Sequence, residues 1–278
     1  MLMIPFNFDY FRPASILEAV DLFQRLDGQG KRPFYLSGGT ELITFGRNNH
    51  IYTEAVVDLK YVPECRTMEF RNHSLVLGSA LTLSELYDSK VFPLLGETGA
   101  GVADRTSRNK ITLGGNICSR LIFREAVLPL LITDSDVVIA GPAGIRRRPI
   151  GDLFNRSLQL GTGEFLVQSI TDPQYITMPY STIKRRKAAA IDYPVVTVAA
   201  LKTNSEIRFA FSGLCAFPFR SIAVEKILKD RSMPITERLT RATSQLPAPI
   251  LADIKASRAY REHVWKVTMT DILSNLGE

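Results

Sequence analysis

Hydrophobic positions recur along the first part of the chain in short blocks, some at helical and some at strand spacing. Ile16, Ala19, Val20 and Phe23 share one helical face. Ser15 and Glu18 stand at the start at the spacing of a capping box and Gly28 follows, so the pattern predicts a helix from there to Gly28. Phe34-Tyr35-Leu36, Ala55-Val56-Val57-Asp58 and Ser74-Leu75-Val76-Leu77-Gly78 are β-rich runs of strand type. Leu81 to Leu86 reads as the start of a helix, Ala126 to Ile132 as an apolar helix and Asp136 to Ala140 as a strand. This alternation argues for an α/β or α+β first domain. Around residues 171 to 190 the pattern changes to a Pro-containing, Lys/Arg-rich connection. Tyr193 to Ala200 then forms an apolar run, and Glu206 to Phe211 alternates at period two as far as Gly213. Helical spacing returns at Ile222 to Leu228, Ile235 to Ser244 and Ile254 to Leu273, which predicts a smaller α+β domain beginning near residue 175.

With 278 residues, 45% hydrophobic and 22% charged, the chain has the composition of a soluble globular protein large enough for one big core or two moderate ones. Its net charge of +6 is modest and spread out. The densest basic runs, Arg146-Arg147-Arg148 and Lys184-Arg185-Arg186-Lys187, lack interleaved aromatic residues, and the first reads as a solvated loop. Nothing resembles a nucleic-acid-binding motif, so no nucleic acid is expected as partner. Met1 to Phe6 has neither the basic nor the apolar segment of a secretory leader, and no window approaches the roughly 18 apolar residues of a membrane span. A cytoplasmic protein is expected. Cys65, Cys118 and Cys215 are far apart, with no C-x-x-C, so the chain supplies no iron–sulfur or zinc site of its own; His50, His73 and His263 are equally isolated. No metal site is expected.

Two Gly-Gly turns carry the candidate chemistry: Ser37-Gly38-Gly39-Thr40 and Thr112-Leu113-Gly114-Gly115-Asn116. Paired glycines permit positive φ and remove both Cβ atoms, so backbone N–H groups are able to converge on an anion, and two such turns would clamp a diphosphate from both sides. Taken alone, each is more often just a tight connection. Neither fits the dinucleotide-binding G-x-G-x-x-G or the P-loop pattern.

The order and spacing of these turns resemble the flavoprotein subunit of the xanthine dehydrogenase and carbon monoxide dehydrogenase family of molybdenum hydroxylases. The likeness runs through Phe8 to Ser15, Leu36 to Leu42 and Arg108 to Ile117, the last being similar to the family's R-N-x-A-T-I-G-G-N-I, and it continues in Ala190 to Val196 and Ala256 to Arg261. The resemblance implies a fold of the vanillyl-alcohol oxidase (PCMH) type over residues 1–174, in two α/β subdomains divided near 55–62. A C-terminal α+β domain of antiparallel sheet and helices would follow over 175–278. It further implies that FAD is held by Tyr35, Leu36, Ser37, Gly38, Gly39, Thr40, Glu41 and Leu42 on one side, and by Thr112, Gly114, Gly115 and Asn116 on the other. Glu125 stands where the family usually has an aspartate at the adenosine end; by itself it is equally a carboxylate favoured near a helix start. Phe165 and Leu166 match an apolar pair beside the flavin, and Lys184 matches a lysine near it; as bare residues they read as strand and solvated cation. Ser119 to Glu125 departs from the family's S-P-x-x-D, which brings Arg120 or Arg124 into consideration as a phosphate contact.

The function so implied is that of an oxidoreductase subunit, active in complex. FAD would pass electrons from partner two-iron clusters, fed by a molybdenum-cofactor subunit, to NAD or another acceptor. No catalytic acid or base is nominated. A stand-alone flavin reductase or oxidase and a flavin-free scaffold subunit remain alternatives at this stage.

Overall fold

The computed structural model describes residues 4–187 and 189–277. Strand β1 (Asp9–Phe11) leads into helix α1 (Ile16–Gly28), which begins with half of the expected capping box: the Ser15 hydroxyl accepts from Glu18 N at 3.1 Å, while the Glu18 carboxylate accepts not from Ser15 N but from Ala14 N at 2.7 Å. Next come β2 (Phe34–Leu36), an unanticipated helix α2 (Thr40–Arg47) and β3 (Ala55–Asp58). These strands form a parallel sheet in the order β1-β3-β2. Ala19, Val20, Leu22 and Leu26 of α1 close over Ala55 and Val57. Sequence reasoning missed α2 because it starts at Gly39, in the left-handed region at φ 75°, and not at a side-chain cap.

A second, five-stranded sheet has the order β4-β5-β10-β6-β7. It is built from β4 (Met68–Arg71), β5 (Ser74–Gly78), β6 (Asp136–Gly141), β7 (Gly144–Pro149) and β10 (Phe165–Thr171). Between β5 and β6 lie helices α3 (Leu83–Ser89), α4 (Pro93–Ala100), α5 (Arg105–Arg108), α6 (Leu113–Ile117) and α7 (Val127–Ile132). The short α8 (Ile150–Leu153) and the β8 (Phe154–Asn155) and β9 (Ser157–Leu158) hairpin precede β10. The Arg146 to Arg148 run corrects the expectation of a loop: it is the edge strand β7, with Arg146 bonded to Glu164 at 2.8 Å and Arg147 to Asp136 at 2.6 Å. Charged side chains at a sheet edge satisfy the strand pattern without burial, which is why no apolar period marked it.

The third sheet is antiparallel, in the order β11-β12-β13-β14, from β11 (Tyr180–Arg185), β12 (Val196–Lys202), β13 (Ile207–Ser212) and β14 (Phe219–Arg220). Lys184 and Arg185 therefore lie on a strand and not in a connection. The uninterrupted apolar run of β12 has a simple cause, since both faces are covered. Ala199 and Leu201 pack into the core with Leu94, Leu130 and Ile132, while Val196, Val198 and Ala200 pack against Trp265 and Met269. The second face is closed by α9 (Ile222–Lys229), α10 (Ile235–Thr243) and α11 (Arg258–Asn275). The last helix starts at Arg258, four residues later than Ile254, because Ser257 caps it, accepting from Tyr260 N at 3.2 Å. Arg261 is fully buried and donates to the carbonyls of Leu251 (2.9 Å), Gly213 (2.8 Å) and Val195, and to Asp253 (2.7 Å). One guanidinium thus ties α11 to the loops at the end of the sheet.

Candidate functional site

A cleft of about 900 Å³ opens where the three sheets meet. Every residue nominated from the sequence lies along it: Tyr35 through Leu42, Thr112, Gly114, Gly115, Asn116, Glu125, Phe165, Leu166 and Lys184. The structure thus brings together positions up to the full length of the first two units apart, together with a side chain of the third.

The first turn leaves β2 and enters α2. Gly39 holds a left-handed backbone, φ 75°, which glycine adopts without strain. Because Gly39 offers no side-chain cap, the N–H groups of Gly38, Gly39, Thr40, Glu41 and Leu42 make no hydrogen bond among the described residues. They are left at the cleft, at the positive end of a helix. From behind, Lys60 donates to the Ser37 carbonyl at 2.8 Å and pairs with the buried Asp58 at 2.8 Å, which fixes the turn.

The second turn is differently built. It is the start of α6, and its N–H groups are already bonded. Leu113 donates to the Leu81 carbonyl at 2.8 Å, Gly114 to the Ser79 carbonyl at 2.8 Å, Gly115 to the Thr112 hydroxyl at 3.1 Å and Asn116 to the Thr112 carbonyl at 2.8 Å. Its glycines serve close approach. A Cβ on Gly114 would stand 2.6 Å from Ser79 Cβ, and one on Gly115 2.8 Å from Thr112 Oγ1. The reading of two equivalent amide clamps is therefore corrected: open amides belong to the first turn, and the second offers the side-chain amide of Asn116, whose oxygen already accepts from Ala126 N at 2.9 Å. The turns touch. Ser37 and Thr112 share a hydrogen bond of 2.8 Å, and a Cβ on Gly38 would meet the Lys110 carbonyl oxygen at 1.9 Å.

At the far wall, Tyr35 stacks on Phe23 and packs against Phe165, each at 4.6 Å between centroids, and its hydroxyl donates to the Gly163 carbonyl at 3.0 Å. Burial pushes the Tyr35 phenol well above its ordinary value, so it stays neutral. Phe165 and Leu166 are buried at the start of β10. Lys184 reaches in from β11, where its ammonium donates to Glu125 at 2.7 Å and to the Gly101 carbonyl at 2.8 Å. Burial pulls that ammonium below the ordinary lysine value, and Glu125 opposes the pull. The other Glu125 oxygen accepts from Thr197 at 2.6 Å. With only 3% of Glu125 exposed, both of its oxygens are engaged by the protein, and a ribose hydroxyl would have to displace one donor.

Residues not nominated complete the cleft. Ser79 backs the second turn, and Phe123 stacks on Tyr193 at 4.7 Å, joining the segment after α6 to the loop before β12. Asp192 beside it pairs with Lys255. Tyr193 lay inside the matched Ala190 to Val196 stretch and was legible there; Phe123 lay in the segment that departs from the pattern and gave no signal.

The family described as "FAD binding domain in molybdopterin dehydrogenase" matches residues 6–174. The chain belongs to that family. Among curated relatives it is 27% identical over 233 residues to a carbon monoxide dehydrogenase medium chain of Hydrogenophaga pseudoflava, covering 78% of each chain. It is 27% identical over 281 residues to a xanthine dehydrogenase FAD-binding subunit of Escherichia coli O157:H7, covering 95% of this chain and 94% of that one. The fold is also that of the solved carbon monoxide dehydrogenase from Hydrogenophaga pseudoflava, with a TM-score of 0.86 at 23% identity and 98% of both chains covered. Among the described residues no helix is long and apolar enough to cross a membrane, and no cluster of His, Cys, Asp and Glu could hold a metal ion.

Proposed function

We propose that the chain is the FAD-carrying electron-transfer subunit of a molybdenum hydroxylase, taking electrons from a partner's two-iron clusters and delivering them to NAD or another acceptor. One observation carries the reading: the residues that family likeness nominates for FAD all line one cleft, in a chain belonging to an FAD-binding family. The cleft fits the group. The open amides of the first turn suit a diphosphate, and the Tyr35, Phe165 and Leu166 wall suits an aromatic ring system. Bound flavin supplies the redox chemistry. The chain's own residues would hold and orient it, with Lys184 kept in place by Glu125.

The carboxylates of the cleft favour electron transfer over stand-alone acid–base catalysis. Glu41 is bonded to Ser119 and Arg120 N, Glu125 to Lys184 and Thr197, Glu164 to Arg146 and Gly161 N, and Asp192 to Lys255. None stands free as a proton donor. The relatives named above are subunits of dehydrogenases, which supports an oxidoreductase working in complex with molybdenum and iron–sulfur subunits. The end of the family match at residue 174, with a separate sheet from Tyr180 onward, supports domains over 1–174 and 175–278. The two sheets before that point support a subdomain division near 55–62. The chain purified with its partners should be yellow, and alone it should quench FAD fluorescence. A colourless complex, with no quenching by the isolated chain, would refute the reading.

A further inference from the structure

Among the described residues, three cationic side chains line the cleft: Arg120, Arg124 and Lys184. Two of them are committed. Lys184 is paired with Glu125 and capped by the Gly101 carbonyl. Arg124 donates through Nε to the Ser119 carbonyl at 2.7 Å and through a terminal nitrogen to the Arg156 carbonyl, with its own backbone at φ 32°. It is a clasp that closes the loop between α6 and α7. Arg120 is different, since its side chain makes no hydrogen bond or ion pair among the described residues, while its backbone is firmly held: Arg120 N donates to Glu41 Oε1 at 2.8 Å, and the Ser119 hydroxyl donates to the other oxygen of the same carboxylate. Glu41 belongs to the first turn of α2, two residues beyond Gly39. The Glu41 bond therefore starts the Arg120 side chain beside the open amides of the first glycine turn. Every carboxylate lining the cleft is already engaged, so among the described residues the Arg120 side chain has no acidic partner.

We propose that Arg120 is the cation that meets the diphosphate of the bound dinucleotide, that Glu41 is the positioning residue that aims it, and that Arg124 only shapes the loop. This rests on the FAD reading above. A guanidinium binds phosphate oxygens through paired N–H groups, and adding it to the open amides combines a fixed charge with fixed dipoles. It also makes affinity depend on salt, which amides alone do so only weakly.

The test is a titration of the full chain with FAD, followed by flavin fluorescence, at low and at high salt, with the melting temperature of each variant measured alongside. Arg120→Ala should lose about tenfold in FAD affinity at low salt, with an unchanged melting temperature of the flavin-free chain, and the gap should narrow at high salt. Arg120→Lys should recover part of the loss, and Glu41→Gln, whose amide keeps only one of the two acceptor oxygens that hold the loop, should fall between. If Arg120→Ala matches the wild type at low salt, or loses equally at both salts, the proposal is overturned while the FAD reading stands. A wild-type chain that binds no FAD overturns both.

Discussion

The two Gly-Gly turns carry the same dipeptide and sit against each other, yet the fold uses them for different purposes. In the first, Gly39 bends the backbone into the left-handed region, and the N–H groups from Gly38 to Leu42 have no partner among the described residues. In the second, each N–H from Leu113 to Asn116 is bonded within the protein, and glycine is needed because Ser79 and Thr112 come too close for a Cβ. One turn is a donor surface and the other is a spacer. A pair of glycines in a sequence therefore reports a lack of room or a need for positive φ, and only the hydrogen-bond partners tell which.

The sharpest way to break this comparison is Gly38→Ala, where the turns meet. A Cβ 1.9 Å from the Lys110 carbonyl oxygen forces two backbones apart, so a stability loss of about 3 kcal/mol is expected in urea denaturation, with FAD binding abolished. Next in size is Thr112→Val. It removes the hydroxyl that bonds Ser37 at 2.8 Å and caps Gly115 N at 3.1 Å, at a cost of about 1–2 kcal/mol for the hydrogen bonds lost. Thermal unfolding should show it, and FAD affinity should fall because the two turns are no longer joined.

The smallest effect concerns the brace under the second turn. Thr82 bridges to Thr112 and caps α3 together with Glu85, which also pairs with Arg66. Burial raises the Glu85 carboxyl, but the Arg66 guanidinium and the Thr82 N–H and hydroxyl outweigh it and bring it down to about 2 from an ordinary 4.5. A depressed carboxyl stabilises the fold above its unfolded value and loses that contribution as pH falls through the folded one. Glu85→Gln should thus cost about 1 kcal/mol or less at neutral pH, since the group is partly exposed. Its melting temperature should converge with that of the wild type as the pH is taken from about 4.5 down to 2.

Much of the fold was legible because burial left a period. The α1 face, the β5 run and the doubly covered β12 announce themselves through apolar spacing. Elements that need little burial did not: β7 is an edge strand of arginines, α2 has a glycine for a cap, and α6 is a helix of five residues inside a glycine turn. The positions of the cleft came from the likeness around Leu36 to Leu42 and Arg108 to Ile117, and they do gather in one place. The partners did not come with them. That Glu125 is held by Lys184 and Thr197, and that the Leu113 and Gly114 amides are taken by Leu81 and Ser79, depend on contacts more than 30 residues apart that no local pattern encodes.

The division of labour between the turns is tested most directly by titrating FAD into Gly39→Ala and Gly114→Ala and comparing each affinity loss with that variant's loss of stability. A Cβ in the left-handed region costs about 1–2 kcal/mol and tilts the open amides, so Gly39→Ala should lose at least tenfold in affinity with a modest fall in melting temperature. Gly114→Ala should destabilise the chain more, through Ser79, while its folded fraction binds FAD within about threefold of the wild type. The reverse order, with Gly114→Ala losing the affinity and Gly39→Ala keeping it, would contradict the account.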